Sequence, residues 1–154
     1  MEKLSKRPFL LAGTIFNVAC LLLLAITSSV NLFNIFVDMD TSVSADAFLI
    51  FSIFVNIMLI ALSLVGIVMS AICMMRVNIS VKAFHGKRFL ILSTFILNIV
   101  AIVFALLAMK IAFDILTLFV CLALICASVF IFLDYYKNKV RFYKEQAEEV
   151  KEIK

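Results

Sequence analysis

The chain has 154 residues, of which 66% are hydrophobic and 16% are charged, and its formal net charge at pH 7 is +4. A soluble domain is about half apolar, and a globule of this length has too little interior to hide such an excess. The mean hydropathy of +1.20 therefore excludes a soluble globular protein and predicts an integral membrane protein. The basic residues lie in short segments between apolar runs, a pattern that marks topology and does not indicate nucleic-acid binding.

Four apolar runs predict four transmembrane helices, at about 9–36, 47–75, 89–109 and 115–133. A helix crosses the hydrocarbon of a bilayer with about 20 apolar residues. The third and fourth runs nearly touch, but one helix through both would be about 65 Å long, more than twice the hydrocarbon thickness. We therefore expect a turn at Lys110 to Asp114. The predicted fold is all-α, a four-helix transmembrane bundle in up-down-up-down order.

The distribution of Lys and Arg predicts which side of the membrane each loop faces. Thirteen of the fourteen basic residues fall in the N-terminal segment, the loop between the second and third runs, and the tail. The loop after the first run carries only the acidic residues Asp38, Asp40 and Asp46. Because cytoplasmic loops carry the excess of Lys and Arg, we expect a multi-pass protein of the cell membrane with both termini in the cytoplasm.

This topology divides the chain into two parts. Residues 1–134 form the predicted membrane domain, and residues 135–154 form a charged, amphipathic, helical tail in the cytoplasm. The first half of the tail is basic and is expected to attract anionic lipid headgroups, at about 1 kcal/mol for each charge near the surface.

The two predicted hairpins resemble each other in sequence. Residues 6–10 (KRPFL) recur as residues 87–90 (KRFL), and at an offset of 65 Ser63 in the second run matches Ser128 in the fourth. This similarity predicts a 2+2 repeat, in which parallel halves are related by an axis along the membrane normal. Convergence of apolar segments on Phe, Ile and Leu explains the same matches, so both interpretations stay open.

The polar groups inside the runs are amides and hydroxyls, and no charge lies near the middle of a run. Asn17 and Asn98 lie at similar depth in the predicted inner half, and Asn56 lies in the outer half near the depth of Ser28 and Asn31. Buried amides need partners in lipid, so hydrogen bonds between helices are the first interpretation. A polar lining for a pore or a small ligand is the alternative.

Small residues recur at four-residue spacing in three runs, which lets helix backbones approach closely. The pairs are Gly66 and Ser70, Ala101 and Ala105, and Ala123 and Ala127. Packing within the bundle and association with a second copy or a membrane partner both fit this pattern. At the turn between the third and fourth runs, Lys110 and Asp114 are four residues apart and are expected to form an ion pair.

No set of residues predicts catalysis, a cofactor or a metal site. The four cysteines all lie in apolar runs, where they form no disulfide framework in a loop. The single histidine, His85, has no nucleophile or carboxylate pair nearby and is expected in a cytoplasmic turn. A coupled transporter normally carries an ionisable group in the membrane core, and this sequence places none there.

The sequence therefore favours a small, non-enzymatic membrane protein. The leading interpretation is an accessory or assembly subunit that acts through helix–helix contacts, either with a membrane-protein partner or with a second copy of itself. The alternative is a channel or transporter-like protein, single or homo-oligomeric, with a path lined by Asn, Ser and Thr side chains.

Overall fold

The computed structural model describes residues 8–39, 47–75, 81–111 and 114–152. They form four α-helices: α1 (Pro8–Met39), α2 (Ala47–Met75), α3 (Val81–Ile111) and α4 (Ile115–Glu152). Each helix contains a segment that is long and apolar enough to cross a membrane. The prediction of an all-α protein with four membrane-length helices is confirmed.

Several residues that carried the prediction of sidedness lie outside the described residues. They are Lys3, Lys6, Arg7, Arg76, Asp40, Asp46 and Lys154. The orientation of the chain in the membrane therefore stays a prediction.

Two helices extend beyond their apolar runs. α3 begins at Val81, eight residues before the predicted span, so His85 belongs to a helix and not to the expected turn. Gly86 is the only breaker in this segment, and an isolated Gly is tolerated within a helix. α4 continues from the fourth span through the tail to Glu152. Its 38 residues make a rod about 57 Å long.

The start of α4 has a specific local cause. Oδ1 of Asp114 accepts a hydrogen bond from the backbone N–H of Leu116 at 3.0 Å, and Oδ2 accepts bonds from the backbone N–H and the hydroxyl of Thr117 at 3.3 and 2.9 Å. Asp114 is thus the N-cap of α4. The hydroxyl of Thr117, with the N–H groups of Leu116 and Thr117, holds the pKa of this carboxyl below its usual range. Both carboxylate oxygens are bonded to α4, and the described structure has no ion pair between Asp114 and Lys110.

The four helices form a ring. Within the described residues, α1 and α3 each pack against both α2 and α4. The largest apolar cluster receives side chains from every helix, and we call it the central apolar layer. Its buried members are Cys20, Leu21, Leu24, Val55, Leu59, Ala101, Ala105, Val120, Cys121 and Leu124. A smaller cluster near the start of α1 contains Leu10, Cys73, Ile91 and Ile131.

α1 packs closely against α4 at Gly13. A Cβ atom at this position would lie 3.1 Å from Cβ of Phe130 and from Cγ1 of Ile131, and 3.3 Å from the carbonyl oxygen of Ala127. One of these neighbours is backbone, which cannot rotate away. Glycine at this position therefore sets how closely α1 and α4 pack.

The small residues singled out in the sequence lie mainly inside the bundle. A Cβ atom at Gly66 would meet Cδ1 of Leu21 at 2.7 Å, so α2 lies directly against α1 there. Four others are buried and Ala123 is half-buried. The buried four are Ser70, Ala101, Ala105 and Ala127. These side chains pack between the four helices, which leaves them little surface for a second protein.

Candidate functional site

Side chains from all four helices meet in one hydrogen-bonded network, which we call the amide network. The Nδ2 group of Asn17 in α1 donates to Oγ of Ser70 in α2 at 2.8 Å. Nδ2 of Asn98 in α3 donates to Oδ1 of Asn17 at 2.8 Å and to Oγ of Ser128 in α4 at 3.0 Å. The pair of Asn17 and Asn98 thus bridges α1 and α3, which lie opposite each other in the ring.

The amide network is sealed from solvent. Asn17, Asn98 and Ser70 are fully buried, and Ser128 is 5% exposed. Ser128 also donates its hydroxyl to the backbone carbonyl of Leu124 at 2.8 Å. Oδ1 of Asn98 is a buried acceptor for which the structure contains no hydrogen-bond donor. Because most of the polar atoms bond to one another, the network acts mainly as a joint between helices.

Threonines next to the amide network bond to their own helices. Thr14 donates to the carbonyl of Leu10 at 2.8 Å, and Thr94 donates to the carbonyl of Leu90 at 3.0 Å. Thr94 also lies 3.6 Å from the sulfur of Cys73, which links α3 to α2. These bonds use the hydroxyl hydrogens within each helix, so the threonines have no donor left for a ligand.

A second polar feature is a cavity of about 300 Å³, which we call the Asn56 pocket. It is lined by residues near the end of α1, the start of α2 and the end of α3. Its polar lining consists of Asn31, Asn34, Ser52 and Asn56, and the other lining residues are apolar. The described lining contains no ionisable side chain.

Asn56 has an incomplete set of hydrogen bonds. It is 4% exposed, and its Nδ2 group donates to the backbone carbonyl of Ser52 at 2.9 Å. Its Oδ1 atom has no partner. Among the lining residues of α2, Asn56 is the farthest from the start of the helix, about 12 Å deeper than Phe48. The deepest lining residue of α2 therefore carries an acceptor that is itself buried and unpaired.

The central apolar layer separates the Asn56 pocket from the amide network. In α1, Leu21 and Leu24 lie between Asn17 and Asn31 along the helix. In α2, Leu59 lies between Asn56 and Ser70. Both leucine positions in α1 and the one in α2 are 1% exposed. Among the described residues, these leucines lie between the two polar groups along α1 and α2, and Ser63, which is buried and has no hydrogen-bond partner, lies between Asn56 and Ser70 in α2.

The structure brings the predicted polar residues together in two groups. Asn17 and Asn98 join the amide network, and Asn31 and Asn56 line the pocket. Ser28 is 2% exposed and lies on α1 between the two groups. The sequence pattern predicted only a packing role for Ser70 and did not indicate Ser128, Asn34 or Ser52 as site residues.

Helical spacing was the signal that would have found two of them, Ser52 and Ser70. Along α2, Ser52, Asn56, Ser63 and Ser70 follow one another at intervals of four and seven residues, and all four are buried. Intervals of four and seven place side chains on one face of a helix. In a membrane bundle, the face that carries the polar groups is the face that turns inward.

Other reactive groups do not form a constellation. All four cysteines are free, with Cys126 exposed and the other three buried. The parts of the chain that the structure describes contain no group of three His, Cys, Asp or Glu side chains that could hold a metal ion. Asp134, near the end of the fourth span, is 2% exposed and makes an interaction of its own. The amide network and the pocket are therefore the two candidate sites.

Comparison with known proteins does not assign the chain to a family. The chain matches no family model, no curated protein and no solved structure.

Proposed function

We propose that this chain is a non-enzymatic, multi-pass protein of the cell membrane that acts as an accessory or assembly subunit through helix–helix contacts in the lipid plane. The helices would run up-down-up-down with both termini in the cytoplasm. Contacts at opposite ends of α1 and α2 support this order, since Asn17 bonds Ser70 while Asn31 shares a pocket with Ser52. A later residue of α1 thus lies beside an earlier residue of α2, as expected for two antiparallel helices.

The observation that supports the proposal is that the four spans are not buried inside the bundle to the same extent. In the spans of α2 and α3, 28% of the most apolar segment is buried inside the bundle, compared with 39% for α1 and α4. Outward side chains on α2 and α3 are large and apolar, such as Val68, which is 57% exposed, and Val103, which is 50% exposed. In lipid, helix association depends on packing and not on a hydrophobic driving force. The α2–α3 side therefore offers the larger surface to a partner helix.

A channel through a single bundle is less well supported. In the described structure the central apolar layer lies between the Asn56 pocket and the amide network, and its leucines are almost fully buried. A cysteine that replaces Asn17 or Asn98 should therefore stay unreactive toward a water-soluble thiol reagent. Rapid modification at either position would favour the channel and count against the proposal.

Site-specific photocrosslinking in the native host tests the accessory role. A photoreactive amino acid placed at Val68 or Val103 should form an adduct of one reproducible mass with a membrane protein that copurifies in stoichiometric amount. Ile26 on α1 and Leu122 on α4 are equally exposed, at 58% and 52%, and serve as matched controls. Adducts of the same yield from all four positions, or with lipid alone, would contradict the proposal.

A further inference from the structure

The Asn56 pocket is a built cavity whose chemistry the helix-packing role does not use. Its volume of about 300 Å³ lies at the small end of the range for ligand pockets in proteins. It also combines an apolar lining with a few convergent polar groups, as ligand pockets do. A pocket of this size holds a molecule much smaller than a membrane phospholipid.

We propose that the Asn56 pocket binds a small, uncharged amphiphile that donates a hydrogen bond from a hydroxyl group to Oδ1 of Asn56. This inference does not depend on the accessory role, because it concerns the interior of the bundle and not its α2–α3 surface.

The unpaired acceptor identifies the polar end of the ligand. Asn56 is 4% exposed and its Nδ2 group is already bonded to Ser52, while Oδ1 accepts nothing. A buried acceptor without a donor is unfavourable, and the cost is recovered when an occupant donates to it. Since Oδ1 cannot donate, the occupant must carry an O–H or N–H group at this point.

The rest of the lining identifies the body and the charge of the ligand. Ile35, Phe48, Leu49, Ala108 and Ile111 present hydrocarbon to the cavity. Water alone satisfies an amide but gains nothing from these walls, whereas an alkyl chain packs against them. The lining holds no ionisable side chain to offset a buried charge, so an ion is disfavoured.

The position of the cavity indicates how such a molecule enters. The pocket lies at the end of the bundle where α1 and α3 end and α2 begins. Asn34, part of its lining, is exposed. An amphiphile that partitions into the membrane surface therefore meets the opening at its own preferred depth, and it enters with its hydroxyl first, because Asn56 is the deepest lining residue of α2.

Photolabelling with a matched pair of probes tests the proposal. The purified full chain is placed in phosphatidylcholine nanodiscs, which avoids sugar detergents that carry hydroxyl groups. One sample receives octanol that bears a diazirine on its chain, and the other receives octane with the same diazirine. We expect the alcohol to label the segments 31–35, 48–56 and 108–111 several times more strongly than the alkane. Equal labelling by both probes, or no labelling of these segments, would overturn the proposal.

The variant Asn56→Leu removes the acceptor and keeps the number and branching of the side-chain heavy atoms. It should fold, because it deletes an unpaired polar atom from an apolar setting. The preference for the alcohol over the alkane should fall about five-fold, the factor that corresponds to one lost neutral hydrogen bond. Ser29→Ala, an exposed hydroxyl on α1 that bonds only its own helix, is the control and should keep the preference. An unchanged preference in Asn56→Leu would refute the assignment of the acceptor.

Competition distinguishes a free alcohol from a lipid that carries the same group. Unlabelled octanol and unlabelled mono-octanoylglycerol are added separately to the alcohol probe. Displacement by either one supports the proposal, and the stronger competitor identifies the source of the hydroxyl. Displacement by neither would show that the pocket does not recognise this chemistry.

Discussion

The side-chain amide of Asn98 donates two hydrogen bonds to other helices, one to Asn17 in α1 and one to Ser128 in α4. In water such bonds replace bonds that the same groups make with solvent, so their net contribution to stability is small. In lipid no water competes, but the unfolded chain within the membrane also finds partners for its amides. Bonds of this kind are consequently worth about 0.6 kcal/mol on average and about 1.7 kcal/mol at most. The value of the amide network lies in its geometry, because one residue links three of the four helices.

We expect Asn98→Leu to lower the stability of the bundle by about 1–2 kcal/mol, since it removes two interhelical bonds and leaves Oδ1 of Asn17 without a donor. The chain contains no tryptophan, so buried thiols are the better reporters. In a Cys126→Ser background, a thiol-reactive fluorophore reads the thermal exposure of Cys20, Cys73 and Cys121, which are buried.

Asn17→Leu and the double variant complete the cycle. If the two amides act as a pair, the double variant should be less destabilised than the sum of the single variants by about 0.6–1.7 kcal/mol. Strictly additive effects would mean that the Asn17–Asn98 bond contributes nothing. Ser29→Ala, which touches neither residue, should leave the midpoint of exposure unchanged.

At the scale of the helix, Gly13 shows a packing constraint that the sequence pattern did not reveal. The small-residue pairs found in the sequence lie on α2, α3 and α4, whereas Gly13 stands alone on α1. Its importance comes from α4, which presents the carbonyl of Ala127 and the side chains of Phe130 and Ile131 at 3.1–3.3 Å from where its Cβ would be. A contact of this kind depends on the relative position of two helices, which no single-helix pattern contains.

We expect Gly13→Leu to destabilise the bundle by about 1–3 kcal/mol, because the added side chain must separate α1 from α4. Ala19→Leu is the matched control, since Ala19 is on the same helix and is exposed. It should change stability by less than about 0.5 kcal/mol. Equal effects of the two substitutions, measured by the same thiol-exposure assay, would refute a close packing role for Gly13.

The start of α4 depends on a local capping signal that the pattern of apolar residues does not contain. The turn was predicted from length at Lys110 to Asp114, and α3 ends at Ile111 and α4 begins at Ile115. The residue that caps α4 was not predicted, because neither Gly nor Pro marks the turn. Asp114 followed by Thr117 was the available signal, since an N-cap side chain accepts bonds from the N–H groups two and three residues later. The charge pattern suggested an ion pair with Lys110, but capping accounts for the observed bonds of the carboxylate.

The predicted 2+2 repeat agrees with the structure in one pair of helices and departs from it in the other. Thr14 and Thr94 make equivalent bonds within their helices, and Asn17 and Asn98 each donate to a serine. At the offset of 65, however, the partner of Ser128 is Ser63, whereas Asn17 bonds a serine seven residues farther along α2. A repeat of the sequence is therefore still a prediction, and it is not an exact symmetry of the hydrogen bonds.

For the whole molecule, hydropathy was enough to predict four spans, because lipid requires each segment to satisfy its own backbone as a helix. It was not enough to predict which polar residues meet. Asn17 and Asn98 are 81 residues apart, and their contact depends on how four helices pack around one axis. The Asn56 pocket was unpredictable for the same reason, since three helices contribute to its wall.

The proposed orientation makes a clear prediction for labelling in intact cells. In a variant that lacks the native cysteines, a single cysteine at Asp40 should react with a membrane-impermeant thiol reagent added outside. A single cysteine at Lys144, which is exposed on α4, should react only after the membrane is opened. Both positions reacting from the same side would overturn the assignment of the termini to the cytoplasm.

The unbroken course of α4 has a mechanical consequence. From Tyr135 to Glu152 the helix continues for about 27 Å past the fourth apolar run without a Gly or Pro at which it could bend. Such a stiff arm converts a small rotation inside the membrane into a displacement outside it. A tilt of about 10° in the fourth span would swing Glu152 sideways by about 5 Å, a movement large enough to make or break a contact at the far end.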